Sequence, residues 1–390
     1  IGAPSGALGE TGFASLFEEE PLPGDPAPAD EDPAVIVYTS GTTGRSKGAA
    51  LSYRALVENM AALTGAWRFS GEDRLALSLP LFHVHGLCIG IHGALLHGMT
   101  VLLSSRFDAG ELVRLFAERA ATVFMGVPTM YVRLLEHLAA HPEAAAALSR
   151  ARLFTSGSAP LPAADFAAFE RATGHRILER YGMTETLFTL SNPYDGERRP
   201  GTVGFPVGGC EVRIVDDAGT EVAEGETGEI LVRGSGMMTA YWGRPEETRA
   251  AFRDGWFATG DVAARDREGY VRILGRKSVD VIRSGGFKIS AREIEEVIAG
   301  HPSVREVAVV GAPDRVWGER IVAAVVLRGS AERGGLEREV TDLCARSLAD
   351  YKRPKEVRVL HELPRNALGK VQKHRILETL AGAGTGTKPD

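Results

Sequence analysis

Tyr38-Thr39-Ser40-Gly41-Thr42-Thr43-Gly44-Arg45-Ser46-Lys47-Gly48 is the stretch from which the rest of the chain can be read. It places three glycines, five small hydroxyl residues and two cations in eleven positions. The apolar run Ala34-Val35-Ile36-Val37 ahead of it reads as a buried strand. Glycines let the backbone fold back so that its N–H groups converge on an anion. The hydroxyls add donors, and Arg45 and Lys47 add positive charge. A loop that wraps a polyphosphate needs these features. The order is not that of a P-loop, which requires Gly-Lys-Ser/Thr running straight into a helix. Here Ser46-Lys47-Gly48 is followed by Ala49-Ala50-Leu51, and the next helix is expected to start at a Ser52 cap with Leu56, Met60 and Leu63 on one face. Taken alone, such a loop also fits a flexible surface turn.

The 390-residue chain has room for a large core and more than one domain. Its 44% hydrophobic and 25% charged residues are the balance of an ordinary globular protein. A net charge of −6 gives no sign of nucleic-acid binding. Cys88, Cys210 and Cys344 are isolated and the histidines scattered, so neither a disulfide framework nor a zinc site is indicated. Reduced thiols, no signal peptide and no long apolar run lead us to expect a cytoplasmic protein without a membrane span.

Residues 1–33 are rich in Gly, Pro, Ala and acids and read as a linker or loosely held segment. Leu75–Leu79 is a strand ending at Pro80-Leu81-Phe82-His83-Val84-His85-Gly86, and the apolar, small-residue run from Gly90 suits close helix packing. No carboxylate or hydroxyl accompanies the two histidines in sequence, so they do not read as a triad. Thr122–Val127 is another buried strand, followed by a helix with Arg133 one turn from its start. Arg133 either extends to solvent over an apolar stem or reaches into a pocket. Arg152–Thr155 leads to the turn Ser156-Gly157-Ser158-Ala159-Pro160-Leu161, and Ile177-Leu-Glu-Arg180 leads to Tyr181-Gly182-Met183-Thr184-Glu185. From about Val203 to Gly275 short alternating strands with Gly and Asp turns suggest a small barrel-like subdomain, in which Thr259-Gly260-Asp261 ends one strand. Beyond Gly275-Arg276-Lys277-Ser278 the pattern becomes a compact α/β unit. It has Ile294, Val297 and Ile298 along a helix and strands at Val307–Val310 and Ile321–Leu327. Ser284-Gly285-Gly286-Phe287-Lys288 and Pro364-Arg365-Asn366-Ala367-Leu368-Gly369-Lys370 are its two glycine-containing loops.

In this order the motifs closely resemble those of the acyl-adenylate-forming enzymes: acyl-CoA synthetases, luciferases and peptide-synthetase adenylation domains. Phe82-His83-Val84-His85-Gly86 together with Gly126-Val127-Pro128-Thr129-Met130-Tyr131-x-Arg133 resembles the malonyl-CoA synthetase branch. The resemblance implies an α/β protein. Its large adenylate-forming domain would span 34–275 and include the barrel-like subdomain, its small mobile α+β domain 276–380, and a disordered tail 381–390. Family members carry a further stretch of the large domain ahead of the phosphate loop, so an N-terminal portion is expected to be lacking here.

The same resemblance implies roles. Thr39, Ser40, Gly41, Thr42, Thr43, Gly44 and Lys47 would hold the ATP phosphates. Gly157, Ser158, Ala159, Pro160, Arg180, Tyr181, Gly182, Met183 and Thr184 would line the nucleotide, with Tyr181 stacking on adenine. Asp261 would accept the ribose hydroxyls, and Arg276 would reach the ribose or α-phosphate. Glu185 and Thr39 would bind Mg²⁺. Arg133, Ser158, Val84, His85 and Met183 would surround the acid, with His83 beside them counted, like Glu185 and Lys370, among the catalytic residues. Gly285, Gly286 and Lys288 would line the coenzyme A tunnel. Lys370 would be the catalytic lysine and, in its Pro364-to-Lys370 setting, a substrate for a lysine acetyltransferase. The implied reaction is ATP-dependent activation of malonate, or methylmalonate, followed by transfer to coenzyme A. Alternatives are a synthetase for another short acid and a stand-alone module that loads a carrier protein.

Overall fold

The computed structural model describes residues 28–39, 46–277, 280–328, 335–365 and 371–382. Among these residues the central element is a seven-stranded sheet in the order Thr100–Leu103, Arg74–Leu77, Val123–Gly126, Leu153–Ser156, Leu178–Tyr181, Leu190–Ser191, Phe205–Pro206. The first five strands run parallel, and each of the last two pairs antiparallel with the strand before it. Parallel strands covered on both faces read as continuous apolar runs, and every residue of Val123–Gly126 and Leu153–Ser156 is buried. Met60, Leu63, Trp67 and Phe188 belong to one core cluster, with Trp67 and Phe188 ring centroids 4.7 Å apart. Phe124, Tyr131, Phe154 and Phe169 belong to another. The Tyr131 hydroxyl donates to the Thr155 carbonyl at 2.7 Å and ties the helix Pro128–Ala140 to the sheet.

At the amino ends of the strands, Arg152 donates Nε and Nη2 to the two Asp73 carboxylate oxygens at 2.7 and 2.8 Å. The motifs singled out above leave from the opposite end, after Leu77, Gly126, Ser156 and Tyr181. Open α/β sheets bind ligands at that carboxyl edge. An antiparallel sheet follows, built from Glu211–Val215, Thr227–Arg233, Phe252–Arg253, Trp256–Arg265 and Val271–Arg276.

After Arg276 a second unit has the strand order Phe287–Ser290, Val281–Ser284, Gly318–Leu327, Val304–Asp314, with Glu356–Val359 parallel to Gly318–Leu327. Ile294 and Ile298 of the helix Ala291–Ala299 pack with Val340 and Cys344 on Val309, Ala323 and Val325. Apolar surface stays exposed at Tyr38, Phe82, Leu95 and Leu103. No helix among the described residues is long and apolar enough to cross a membrane.

Candidate active site

The strands on either side of the glycine-rich stretch pair with each other. Pro33–Tyr38 pairs antiparallel with Gly48–Ser52, with Tyr38 opposite Gly48, and the Thr39 N–H donates to the Lys47 carbonyl at 2.8 Å. A Cβ on Gly48 would stand 2.8 Å from the Ile36 side chain, so glycine is needed for this close pairing. The loop returns into a strand rather than a helix. The helix Tyr53–Trp67 starts afterwards, capped by Ser52 Oγ on the Ala55 N–H at 3.1 Å. Ser40, Gly41, Thr42, Thr43, Gly44 and Arg45 lie outside the described residues. Ala240–Tyr241 adds a third strand, with Tyr241 opposite Ala49 and the Trp242 N–H on the Gly48 carbonyl at 2.7 Å.

Beside it, the carboxyl ends of three strands bring cations and histidines together. His85 opens a π-helical stretch, His85–His92, of a kind that recurs at functional sites. The turn into it is tight, since a Cβ on Gly86 would fall 2.5 Å from the Pro80 carbonyl oxygen. His85 is 2% exposed. Its Nδ1 lies 3.1 Å from Ser158 Oγ, and its Nε2 is buried without a hydrogen-bond partner among the described residues. Burial, then the charges of Arg180 and His83, hold its pKa well below the usual histidine value. The imidazole is therefore neutral. The sequence showed no hydroxyl companion for these histidines; the fold supplies Ser158 from 73 residues away. Ser158 is held at a left-handed φ of 65°, a conformation that costs a non-glycine residue energy.

Arg180 is 5% exposed, and its Nε and Nη2 are buried without hydrogen-bond partners among the described residues. Burial pushes its guanidinium down to about 9, which leaves it cationic at neutral pH. Gly157 makes room for it: a Cβ there would stand 2.5 Å from Arg180 Nε. Arg133, by contrast, is exposed on the helix Pro128–Ala140. Val84 is buried, His83 and Met183 are half-buried, and Ala159 and Pro160 are exposed. His83 Nδ1 accepts from the His85 N–H at 3.3 Å.

The neighbouring Glu179 was not singled out by its sequence. It is 4% exposed, and its two carboxylate oxygens accept the Gly201 N–H at 3.0 Å and the Leu161 N–H at 3.3 Å. It thereby anchors the loop that carries Ser158. Burial raises its carboxyl from 4.5 to about 7, against those two bonds. The folded chain holds this proton where the unfolded chain has released it. Its stability contribution is therefore complete below the unfolded value and is lost as pH rises through the folded value. Thermal midpoints of the wild type should fall as pH rises from about 4.5 to about 7 and level off above it, and the slope in that window should flatten in Glu179→Gln. Equal slopes in the two proteins would refute this assignment.

On the other side of Arg180, the Tyr181 hydroxyl donates to Asp261 Oδ2 at 2.6 Å, and Arg276 Nε lies 2.9 Å from Asp261 Oδ1. Thr184 and Glu185 are buried, and the Tyr241 hydroxyl donates to Glu185 Oε1 at 2.8 Å. Lys47 Nζ sits 4.9 Å above the Tyr241 ring. Among the described residues no group of three or more His, Cys, Asp or Glu could hold a metal ion. Mg²⁺ commonly takes one or two carboxylates plus substrate phosphates and waters. The single oriented carboxylate of Glu185, with the Thr39 hydroxyl at the neck of the hairpin, suits that mode. Gly182 fixes this corner, because a Cβ there would lie 1.7 Å from the Leu187 carbonyl oxygen. Gly182→Ala should destabilise the fold by about 3 kcal/mol or more through backbone displacement, read as a lowered denaturant midpoint. An unchanged midpoint would mean that the backbone relaxes freely.

Gly285 and Gly286, at φ 57° and 83°, turn the chain between Val281–Ser284 and Phe287–Ser290. Lys288 lies in the second of these strands. Lys277 Nζ bridges Glu229 and Asp217, both at 3.0 Å, where the two units meet. Lys370 lies outside the described residues.

With the geometry in place, comparison with known proteins is informative. The AMP-binding enzyme profile matches residues 6–242, and the AMP-binding enzyme C-terminal domain profile matches residues 293–370. The chain belongs to the AMP-binding enzyme family. This family member is 40% identical to the mouse mitochondrial malonate–CoA ligase ACSF3 over 91% of its own length and 66% of the relative's. It spans about 61–66% of the malonate–CoA ligases that it matches. It superposes on ATP-bound MatB from Rhodopseudomonas palustris with a TM-score of 0.85 at 42% identity, covering 90% of this chain and 69% of that one. For apo MatB of the same organism the TM-score is 0.73. A malonyl-CoA ligase with methylmalonyl-CoA and AMP bound gives 0.62 at 50% identity, covering 86% and 73%. The chain is thus more similar in overall arrangement to the ATP-bound form than to the other two.

Proposed function

We propose that this protein uses ATP to convert malonate to malonyl-adenylate and pyrophosphate, then passes the malonyl group to coenzyme A with release of AMP. The observation that carries this reading is Arg180, a buried guanidinium with two nitrogens lacking partners, beside the neutral His85 and Ser158. A guanidinium fork matches a carboxylate. The second carboxylate of malonate is the group that would complete it, with Arg133, exposed on the helix Pro128–Ala140, as the alternative cation. An acid without that carboxylate leaves the buried charge unpaired.

The reacting carboxylate must approach the α-phosphate, another anion. Lys47, the hairpin donors and Lys370 offset that repulsion and stabilise charge developing on pyrophosphate. Mg²⁺, held by Glu185 and Thr39, would supply additional neutralisation of the phosphate oxygens. Tyr181, Asp261 and Arg276 would receive the adenosine, with the Asp261 carboxylate meeting a vicinal diol. Thr184 would contact the α-phosphate, and Met183 would wall the acid. The unit beyond Arg276 would then turn about Gly275–Ser278, bringing Gly285, Gly286 and Lys288 to the thiol path.

Methylmalonate is the second reading, because the ligase carrying methylmalonyl-CoA is 50% identical to this chain. The test is mass-spectrometric detection of acyl-CoA together with AMP release, using malonate, methylmalonate, propionate and sulfoacetate. Malonyl-CoA should form with kcat/KM at least about 100-fold above that for propionyl-CoA, the scale of a buried charge losing its partner. Propionate turning over as fast as malonate would overturn the reading, and malonate-dependent ATP–pyrophosphate exchange with neither acyl-CoA formation nor coenzyme A-dependent AMP release would point to carrier loading instead.

A further inference from the structure

We propose that Tyr241 is a positioning residue for phosphate activation, which sets the Glu185 carboxylate and the Lys47 ammonium in one arrangement around the nucleotide phosphates. This rests on the ATP-activation reading above. Tyr241 is 7% exposed and Glu185 6%, and the phenol donates to Glu185 Oε1 at 2.8 Å. One carboxylate oxygen is thereby fixed, and the carboxylate cannot turn without losing its donor. The opposite interaction is made by the ring, which carries Lys47 Nζ at 4.9 Å. A cation over an aromatic face is attracted to it and is held without its charge being neutralised.

The backbone makes the arrangement rigid. Tyr241 pairs with Ala49 in the phosphate-loop hairpin, Thr239 N–H donates to Ala50 O at 3.0 Å, and Trp242 N–H donates to Gly48 O at 2.7 Å. Three residues earlier, Met238 N–H donates to the Glu185 carbonyl at 2.7 Å. The segment Met238–Trp242 therefore straps the hairpin to the Glu185 turn, and Tyr241 points its hydroxyl along that connection. Outer residues that orient a metal-binding carboxylate typically change metal affinity about 10-fold to 100-fold when removed.

Tyr241→Phe removes only the hydroxyl and keeps the ring under Lys47. Binding of a non-hydrolysable ATP analogue is measured by calorimetry across a Mg²⁺ series. The Phe variant should need about 10-fold more Mg²⁺ for half-maximal binding, while its affinity at saturating Mg²⁺ stays near wild type. A purely structural tyrosine would weaken binding equally at all Mg²⁺ concentrations, and that result would overturn the proposal. So would a Mg²⁺ curve identical to wild type. Tyr241→Leu also removes the ring and should lower affinity at saturating Mg²⁺; if it matches Tyr241→Phe there, the Lys47 half of the proposal fails. If the wild type itself binds the analogue without any Mg²⁺ dependence, the ATP-activation reading fails with it. Wild-type dependence with an unaffected Phe variant sinks Tyr241 alone.

Discussion

Arg180→Met is expected to leave a folded protein, at least as stable as wild type, that has lost malonate activation. A buried guanidinium with two nitrogens unpartnered among the described residues raises the free energy of the unliganded fold. Methionine fills similar volume with apolar atoms and can use the space that Gly157 leaves, where a Cβ would sit 2.5 Å from Arg180 Nε. The substrate would lose its partner in the same substitution. Malonate kcat/KM should fall by roughly 150-fold to 5,000-fold, following the 3–5 kcal/mol scale for breaking a buried pair, while ATP-analogue binding persists. Propionate use should be unchanged or improved. Arg180→Lys should lie between, since an ammonium offers a point charge instead of a fork. Removing the Arg180 charge should also raise the His85 pKa somewhat, although burial, the larger cause, still keeps the ring neutral. Full malonate turnover in Arg180→Met would make Arg180 a structural residue and leave exposed Arg133 as the remaining candidate.

Lys370→Ala is expected to abolish ATP–pyrophosphate exchange, by roughly 1,000-fold, because a point charge on developing pyrophosphate is lost. Malonyl-adenylate supplied from outside should still react with coenzyme A. Gly286→Trp should do the reverse, since φ 83° there disfavours any side chain and a bulky one would fill the thiol path. If each variant loses both half-reactions equally, alternation of the two loops is wrong for this enzyme.

Much of the fold was legible because its signals are local. Ser46-Lys47-Gly48 did not lead into a helix, and Ser52 did cap the next one. Alternation marked Glu211–Val215 in full. The buried parallel strands were equally plain as apolar runs. What could not be read depends on chain crossings. Ser158 reaches His85 across 73 residues, and Tyr241 reaches Glu185 across 56. The π-helical course of His85–His92 is likewise set by Gly86 against Pro80 O and Gly90 against Leu77, contacts that no local periodicity encodes. Sequence reasoning assigned Arg133 to the acid through the resemblance to the malonyl-CoA synthetase branch, and grouped Arg180 with the nucleotide. The structure buries Arg180 and exposes Arg133, because a strand residue between Glu179 and Tyr181 takes its surroundings from neighbouring strands rather than from its own segment.

The most direct test of the central claim, that a buried cation selects an acid with a second negative group, is wild-type ATP–pyrophosphate exchange driven by malonate and by propionate in parallel. Exchange at least about 100-fold faster per unit concentration with malonate is the expected result. Equal exchange with the two acids would contradict it.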